Sequence, residues 1–230
     1  MFPVPAARRL IAIALCGWLA ACTPQAAVLM SMLPAGTASV LMSHLERVED
    51  TNRTKVAELE ARGDWEGLLR LADENLAKDA SITDWWMVAG YANTRLERHE
   101  RAAECYGQVV RLEPDEPAGW HLLAQSYREM KQPQRAVAVL GRALLVLRDS
   151  PVTHFMLGES YGDLGRFPAA AAAYRQALRV APKFAQAWYR LGHAELQNGR
   201  VTEAEQAVRA LEQLDPQLAA ALARAVGARR

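Results

Sequence analysis

From Val56 to the C-terminus, apolar residues recur at the spacing of one helix face, but in short runs with breakers between them. LGESYGDLGRFPAAAAAYRQAL (157–178) shows the pattern. Apolar residues stay in helical register on both sides of Gly165 and Pro168, and either residue inside a helix would weaken it. The segment therefore predicts two helices and a sharp turn. Gly165-Arg166 and Gly199-Arg200 read as ends of first helices, where glycine accepts a left-handed cap. Pro133 and Pro168 read as starts of second helices, where a missing N–H costs little. Trp86, Ala89, Gly90 and Asn93 fall on one face of a first helix, and Ala102, Tyr106 and Val109 on the facing side of its partner. A large ring beside Gly or Ala lets the two backbones come close. Of the five alanines 169–173, only Ala170 is expected at the crossing, the others being helix formers on its flank.

The pattern repeats. Trp86, Trp120, His154 and Trp188 stand 34 residues apart, as do Gly90, Ala124, Gly158 and Gly192. Ala102, Ala136, Ala170 and Ala204 keep the interval, and so do Tyr106, Leu140, Tyr174 and Val208. Pro114, Pro182 and Pro216 close three units, with Arg148 in the remaining place. Leu157, Gly158, Tyr161, Ala170, Tyr174 and Pro182 form a nearly full match to the tetratricopeptide repeat, and the chain resembles that family. The resemblance implies an all-α fold, a right-handed solenoid of antiparallel helix pairs, with units at 83–116, 117–150, 151–184 and 185–218. In the last unit Glu195 replaces Tyr, Val208 the aromatic and Leu211 a small residue, as suits a terminal unit with one side facing solvent. Residues 219–230 read as a capping helix, with Arg224, Arg229 and Arg230 at its C-terminus. Upstream, 37–82 reads as a degenerate helix pair that turns at Arg62-Gly63-Asp64. Thr37 would cap its first helix, with Val40, Leu41, Leu45 and Val48 on one face. Trp85 has no counterpart in the other units; it either packs on this first pair or stands exposed as an anchor.

The N-terminus obeys another rule. Arg8-Arg9 precede an apolar run, Leu10 to Ala21, too short to span a bilayer comfortably, and small residues precede Cys22. Residues 1–21 read as a signal peptide. LAAC (19–22) resembles the bacterial lipobox, which implies acylation of Cys22, and Thr23 resembles the signal for sorting to the outer membrane. Residues 22–36 would be a lipidated tether, its apolar part either dipping into the lipid interface or folding back over the first helix pair. Removing 1–21 takes the net charge from +1 to −1, which gives no lead toward nucleic acid. Cys105 would be left without a disulfide partner, so packing must hold the fold.

Catalytic chemistry finds little support. The five histidines show no metal-binding spacing, although His121, His154 and His193 belong to successive first helices. Residues 73–84 superficially resemble a calcium loop, but Lys78 stands where the required glycine belongs. No enzyme, cofactor or metal is expected. The resemblance implies instead a concave groove lined by first helices that receives peptides or partner segments. Offsets within each unit name Asp84, Met87, Tyr91 and Arg95; His121, Gln125 and Arg128; Phe155, Glu159 and Asp163; and Gln186, Tyr189 and His193. These are expected to lie away from the packed face and to be dispensable for stability. Arg95 and Arg128, followed by Glu159 and Asp163, suggest a polar gradient along the groove. The lysine–asparagine clamp that some family members use for acidic C-termini is absent, since Met87 and Tyr91 hold its first-unit places. The expected protein is an envelope adaptor with protein partners, for pilus or secretin assembly. The other reading is an accessory factor in exopolysaccharide export or cell-wall turnover, in which Tyr189, Phe155 and Glu159 would hold a sugar.

Overall fold

A computed structural model describes residues 50–229. The proposed signal peptide, the proposed acylation site Cys22, the proposed tether and the proposed start of the first pair at Thr37 lie outside the described residues. All regular elements among the described residues are helices: α1 (Asp50–Arg62), α2 (Trp65–Leu76), α3 (Thr83–Arg95), α4 (His99–Leu112), α5 (Pro117–Glu129), α6 (Pro133–Val146), α7 (Pro151–Asp163), α8 (Phe167–Val180), α9 (Ala185–Gln197), α10 (Val201–Leu214) and α11 (Pro216–Gly227). Each packs chiefly on the helix before it and the helix after it, the one-dimensional order of a solenoid. None of these helices is long and apolar enough to cross a membrane.

One turn design joins the two helices of every pair. Gly63, Glu97, Lys131, Gly165 and Gly199 all have positive φ, between 57° and 74°. The following N–H of each turn reaches back to a carbonyl five residues earlier: Asp64 to Leu59, Arg98 to Asn93, Gln132 to Tyr127, Arg166 to Tyr161 and Arg200 to Glu195, at 2.8–2.9 Å. The positive-φ residue itself donates three residues back, as Gly165 does to Gly162 at 2.9 Å. Together these bonds satisfy carbonyls that the helix end leaves open. The five turns stand 34 residues apart, so the α1–α2 pair shares the register of the four units after it.

Inside a pair, a bare backbone faces a large side chain. A Cβ placed on Gly90 would lie 2.5 Å from a ring carbon of Tyr106, and one on Gly158 would lie 2.5 Å from Tyr174. The second unit carries Ala124 and Leu140 at these places, both fully buried. In the fourth unit Val208 is too short, and Leu222 of α11 comes in over Gly192, whose added Cβ would lie 2.3 Å from it. Leu222, Val226 and Ala219 share one cluster with Leu211 and Leu196, so α11 closes the end of the core. It starts at Pro216, three residues before the expected 219, because Asp215 ends α10 and caps α11 directly through the Gln217 and Leu218 N–H groups.

The indole rings also bind the joints between units. Trp86, Trp120 and Trp188 donate Nε1–H to the carbonyls of Ala80, Pro114 and Pro182, six residues earlier, at 2.9, 2.7 and 2.8 Å. His154 makes the equivalent bond to the Arg148 backbone. Trp120 is buried, whereas Trp86 and Trp188 are half-buried along these loops rather than wholly inside. Trp85 is buried at 3% exposure, which ends its reading as an exposed anchor. The alanine run needs a correction: Ala171 and Ala173 are buried along with Ala170, leaving only Ala172 fully exposed. Glu195 is buried in the place where two other units have Tyr, and it is ion-paired with Arg175 and, at 3.8 Å, with Arg200. Burial pushes the Cys105 thiol up to about 11, which leaves it protonated and unreactive at neutral pH.

Glu97 and Lys131 hold left-handed positions where the other three turns have glycine. Lys131→Gly is expected to stabilise the protein by about 0.5–1 kcal/mol, the relief of αL strain exceeding the entropy that glycine adds to the unfolded chain. Urea unfolding measures it; a lower midpoint would mean that the Lys131 side chain contributes more than its backbone strain costs.

Candidate functional site

The thirteen groove residues divide into two rows with different physical fates. Asp84, Met87, His121 and Phe155 are buried, at 7%, 5%, 4% and 3% exposure, which corrects the expectation that they are dispensable for packing. Successive units stack through this edge of the first helices, so side chains that would point outward on a single pair are enclosed by the next one. Met87 joins the cluster containing Trp120 and Leu123 of the second unit. The Phe155 ring lies 5.6 Å from that of Tyr174 and 5.0 Å from that of Phe184.

His121 joins the second unit to the third. Its Nε2 lies 2.8 Å from Thr153 Oγ1, and the Thr153 hydroxyl itself donates to Ser150 Oγ at 2.8 Å. Nε2–H is therefore the donor, and Nδ1 is enclosed without a partner. Burial lowers the His121 pKa from 6.5 to about 4.

The second row remains accessible: Tyr91, Gln125, Glu159 and His193 occupy one place in four consecutive first helices, and all are half-buried. Arg95 and Asp163 are exposed one turn further on, while Arg128, Gln186 and Tyr189 are half-buried. The side chains of this row are held by their neighbours. Arg128 donates Nε–H to Asp163 Oδ2 at 2.6 Å, and its Nη2 lies 3.7 Å from Glu159 Oε2. Arg128 Nη1 also reaches Gln125 Oε1 at 3.3 Å. Glu159 Oε1 accepts from the Tyr174 hydroxyl at 2.6 Å and lies 3.1 Å from Arg190 Nε. Burial, and then the Glu159 charge, pushes the Tyr174 phenol well above its ordinary pKa, so it remains a donor. The supposed gradient is corrected accordingly: Arg128, Arg190 and both acids form a single compensated network across three units rather than opposite ends of a field.

Beside this network a cleft of about 260 Å³ opens between the third and fourth units. Phe167, Ala170 and Ala194 supply apolar lining, with Gly162, Glu159, Asp163, Arg190 and His193 among the polar contributors. A Cβ on Gly162 would meet only the Tyr174 hydroxyl, at 4.0 Å, so backbone borders the opening. His193 stacks edge-on against Tyr189 at 4.5 Å, and its Nε2 is enclosed without a hydrogen bond. Burial, and then Arg190, lowers its pKa. The sugar-holding trio is not assembled, because the Phe155 ring is buried against Tyr174 and Phe184 and offers no open face. Among the described residues no three His, Cys, Asp or Glu side chains gather as a metal site.

Offsets within a unit do not select Arg190, Tyr174, Glu60 or Trp65, yet all four contact the accessible row. For all but Tyr174, whose partner Glu159 lies in its own unit, the missed signal lies between units. Glu60 and Tyr91 are 31 residues apart, as are Arg128 and Glu159, and Glu159 and Arg190. That interval is one period less one helical turn, which brings side chains of adjacent first helices together.

A stack of helix hairpins in one register, each closed by the same turn, defines a helical-repeat protein. The chain belongs to the tetratricopeptide repeat family, whose model matches residues 87–151 and 155–219, more than half of its length. Among solved structures it is similar to MamA at 20% identity and a TM-score of 0.64, over 74% of this chain and 96% of that one. It is similar to YrrB, a TPR protein with an unusual peptide-binding site, at 18% identity and a TM-score of 0.60, over 82% and 100%. It is also similar to TTC0263, a thermophilic TPR protein of Thermus thermophilus, at 23% identity and a TM-score of 0.55, over 76% and 97%. No curated protein matches.

Because the native His121 pKa lies below that of the unfolded chain, the unfolded state binds more protons between the two values. His121 thus contributes stability that is complete above pH 6.5 and is lost as pH falls toward 4, to a limit of roughly 3 kcal/mol. Unfolding free energies between about pH 7.5 and 4 should fall less steeply for His121→Gln than for the parent. Parallel curves would show that His121 is not buried in its neutral form.

Proposed function

We propose that this protein is a non-catalytic adaptor that receives a segment of another protein along the face shared by α3, α5, α7 and α9. The cleft beside the Arg128–Glu159–Arg190 network carries this reading. It combines an apolar lining, a glycine backbone edge and polar side chains fixed before any partner arrives. Such preorganisation lowers the entropic cost of association, because the binding groups are already ordered. The row of Tyr91, Gln125, Glu159 and His193 extends the contact along four units, a length suited to an extended or helical peptide. YrrB supports the reading, since a protein of the same fold there has a peptide-binding site.

In this proposal residues 1–21 direct export, and acylated Cys22 anchors the chain to the outer membrane with the repeats in the periplasm. The support is the charged-apolar-small order ending in LAAC. A tethered groove suits an assembly role, holding a pilus or secretin subunit close to the membrane where it is inserted. The partner is thus an envelope protein or peptide.

Photo-crosslinking residues placed at Gln125 and His193 in cells are expected to trap the same partner, while one at exposed Ala172 of α8 is not. Equal capture from Ala172 would contradict the groove. Cys22→Ser should move the protein from the membrane to the soluble fraction; full membrane retention would remove the lipid anchor from the account.

A further inference from the structure

The accessible row has a distinct chemistry at its α1–α2 end. Trp65 opens α2 immediately after the Gly63 turn and brings its ring edge-on to Tyr91, with centroids 5.9 Å apart and planes at 85°. The Tyr91 hydroxyl donates to Glu60 Oε1 at 2.8 Å. That bond orients the ring, and burial, and then this bond, pushes the phenol pKa upward. Glu60 Oε2 is enclosed and receives no hydrogen bond. Over the Trp65 ring lies the guanidinium of Arg95, 4.6 Å from the centroid, on a side chain that is exposed to solvent.

An indole face, a phenol and a carboxylate with an unused acceptor oxygen together favour a cation. The ring quadrupole attracts positive charge to its face, and the carboxylate adds a formal charge and an acceptor. Arg95 already occupies the indole face from an exposed position, where the cation–π contribution itself is small. We infer that Trp65, Tyr91 and Glu60 form a pocket for a lysine or arginine side chain of the bound partner, and that Arg95 fills it in the free protein as a displaceable competitor. The inference rests on the groove reading above and adds that the partner segment is basic where it meets α1–α3. Arg95 is then a placeholder over the indole face of the free protein, which an incoming cation replaces.

Full-length protein titrated with a capped lysine nonapeptide tests this, with glutamine and glutamate nonapeptides as controls. The reporter is the Trp65 indole N–H signal in a two-dimensional NMR spectrum, assigned with Trp65→Phe. The lysine peptide should shift that signal and the glutamate peptide should not. Arg95→Ala should tighten lysine-peptide binding by about two- to fivefold, since the competitor is gone. Glu60→Gln, which keeps shape and the Tyr91 bond, should weaken it by a similar factor. Weaker or unchanged binding in Arg95→Ala, or equal shifts with the glutamate peptide, would overturn the pocket. Those results would leave partner capture at Gln125 and His193 untouched, so failure here is separable from failure of the groove.

Discussion

The close approach of two helices across a residue with little or no side chain sets everything else in this protein. At Gly90 and Gly158 the ring of Tyr106 or Tyr174 lies where a Cβ would stand. The ring therefore packs on backbone, and the hairpin closes to a separation that larger residues forbid. Closing each hairpin in one way fixes how the next one meets it. The Trp and His rings then hold the loops between units to carbonyls six residues back, so the joint is a hydrogen-bonded contact as well as an apolar one. At the C-terminal end the rule survives with a substitute: Leu222 from α11 fills the space that Val208 leaves over Gly192.

Stacking divides the first-helix surface by function. Met87, His121 and Phe155 become joint residues because the next unit covers them. Tyr91, Gln125, Glu159 and His193, one turn along, escape cover and line the face proposed to receive the partner. Fixed ion pairs between units then shape that face. Arg128 spans to Asp163 and Glu159, and Glu159 in turn holds Arg190 and the Tyr174 hydroxyl. A network with its charges matched internally presents shape and hydrogen bonds to a partner more than a net field. The α1–α2 end differs, since there a carboxylate oxygen of Glu60 is left unmatched beside two rings.

The hairpin repeat was legible because its code is local. A 34-residue interval of glycine, ring and alanine reports contacts within one pair, and those contacts depend only on helix geometry. The left-handed turns at Glu97 and Lys131 were not legible, because neither residue type announces positive φ; only their place in the interval does. The accessible row of the proposed binding face was half legible. Offsets name residues that lie on first helices, but burial at the joint depends on the neighbouring unit, and one pair considered alone places Phe155 in solvent. Glu60, Trp65 and Arg190 escaped notice for the same reason, their partners lying 26 to 31 residues away in an adjacent unit. Pairing residues at a spacing of 31 would have revealed the Arg128–Glu159–Arg190 line.

The interlock of glycine and ring is most directly tested by a double-mutant cycle at Gly158 and Tyr174, read by urea unfolding. Gly158→Ala in the parent should destabilise by about 1–3 kcal/mol through overpacking. With Tyr174→Leu already in place, the same alanine should cost far less, because the ring it displaces is gone, giving a coupling energy on the order of 1 kcal/mol. Equal costs in both backgrounds would mean that the ring does not rest on that backbone, and the account of the repeat would fail.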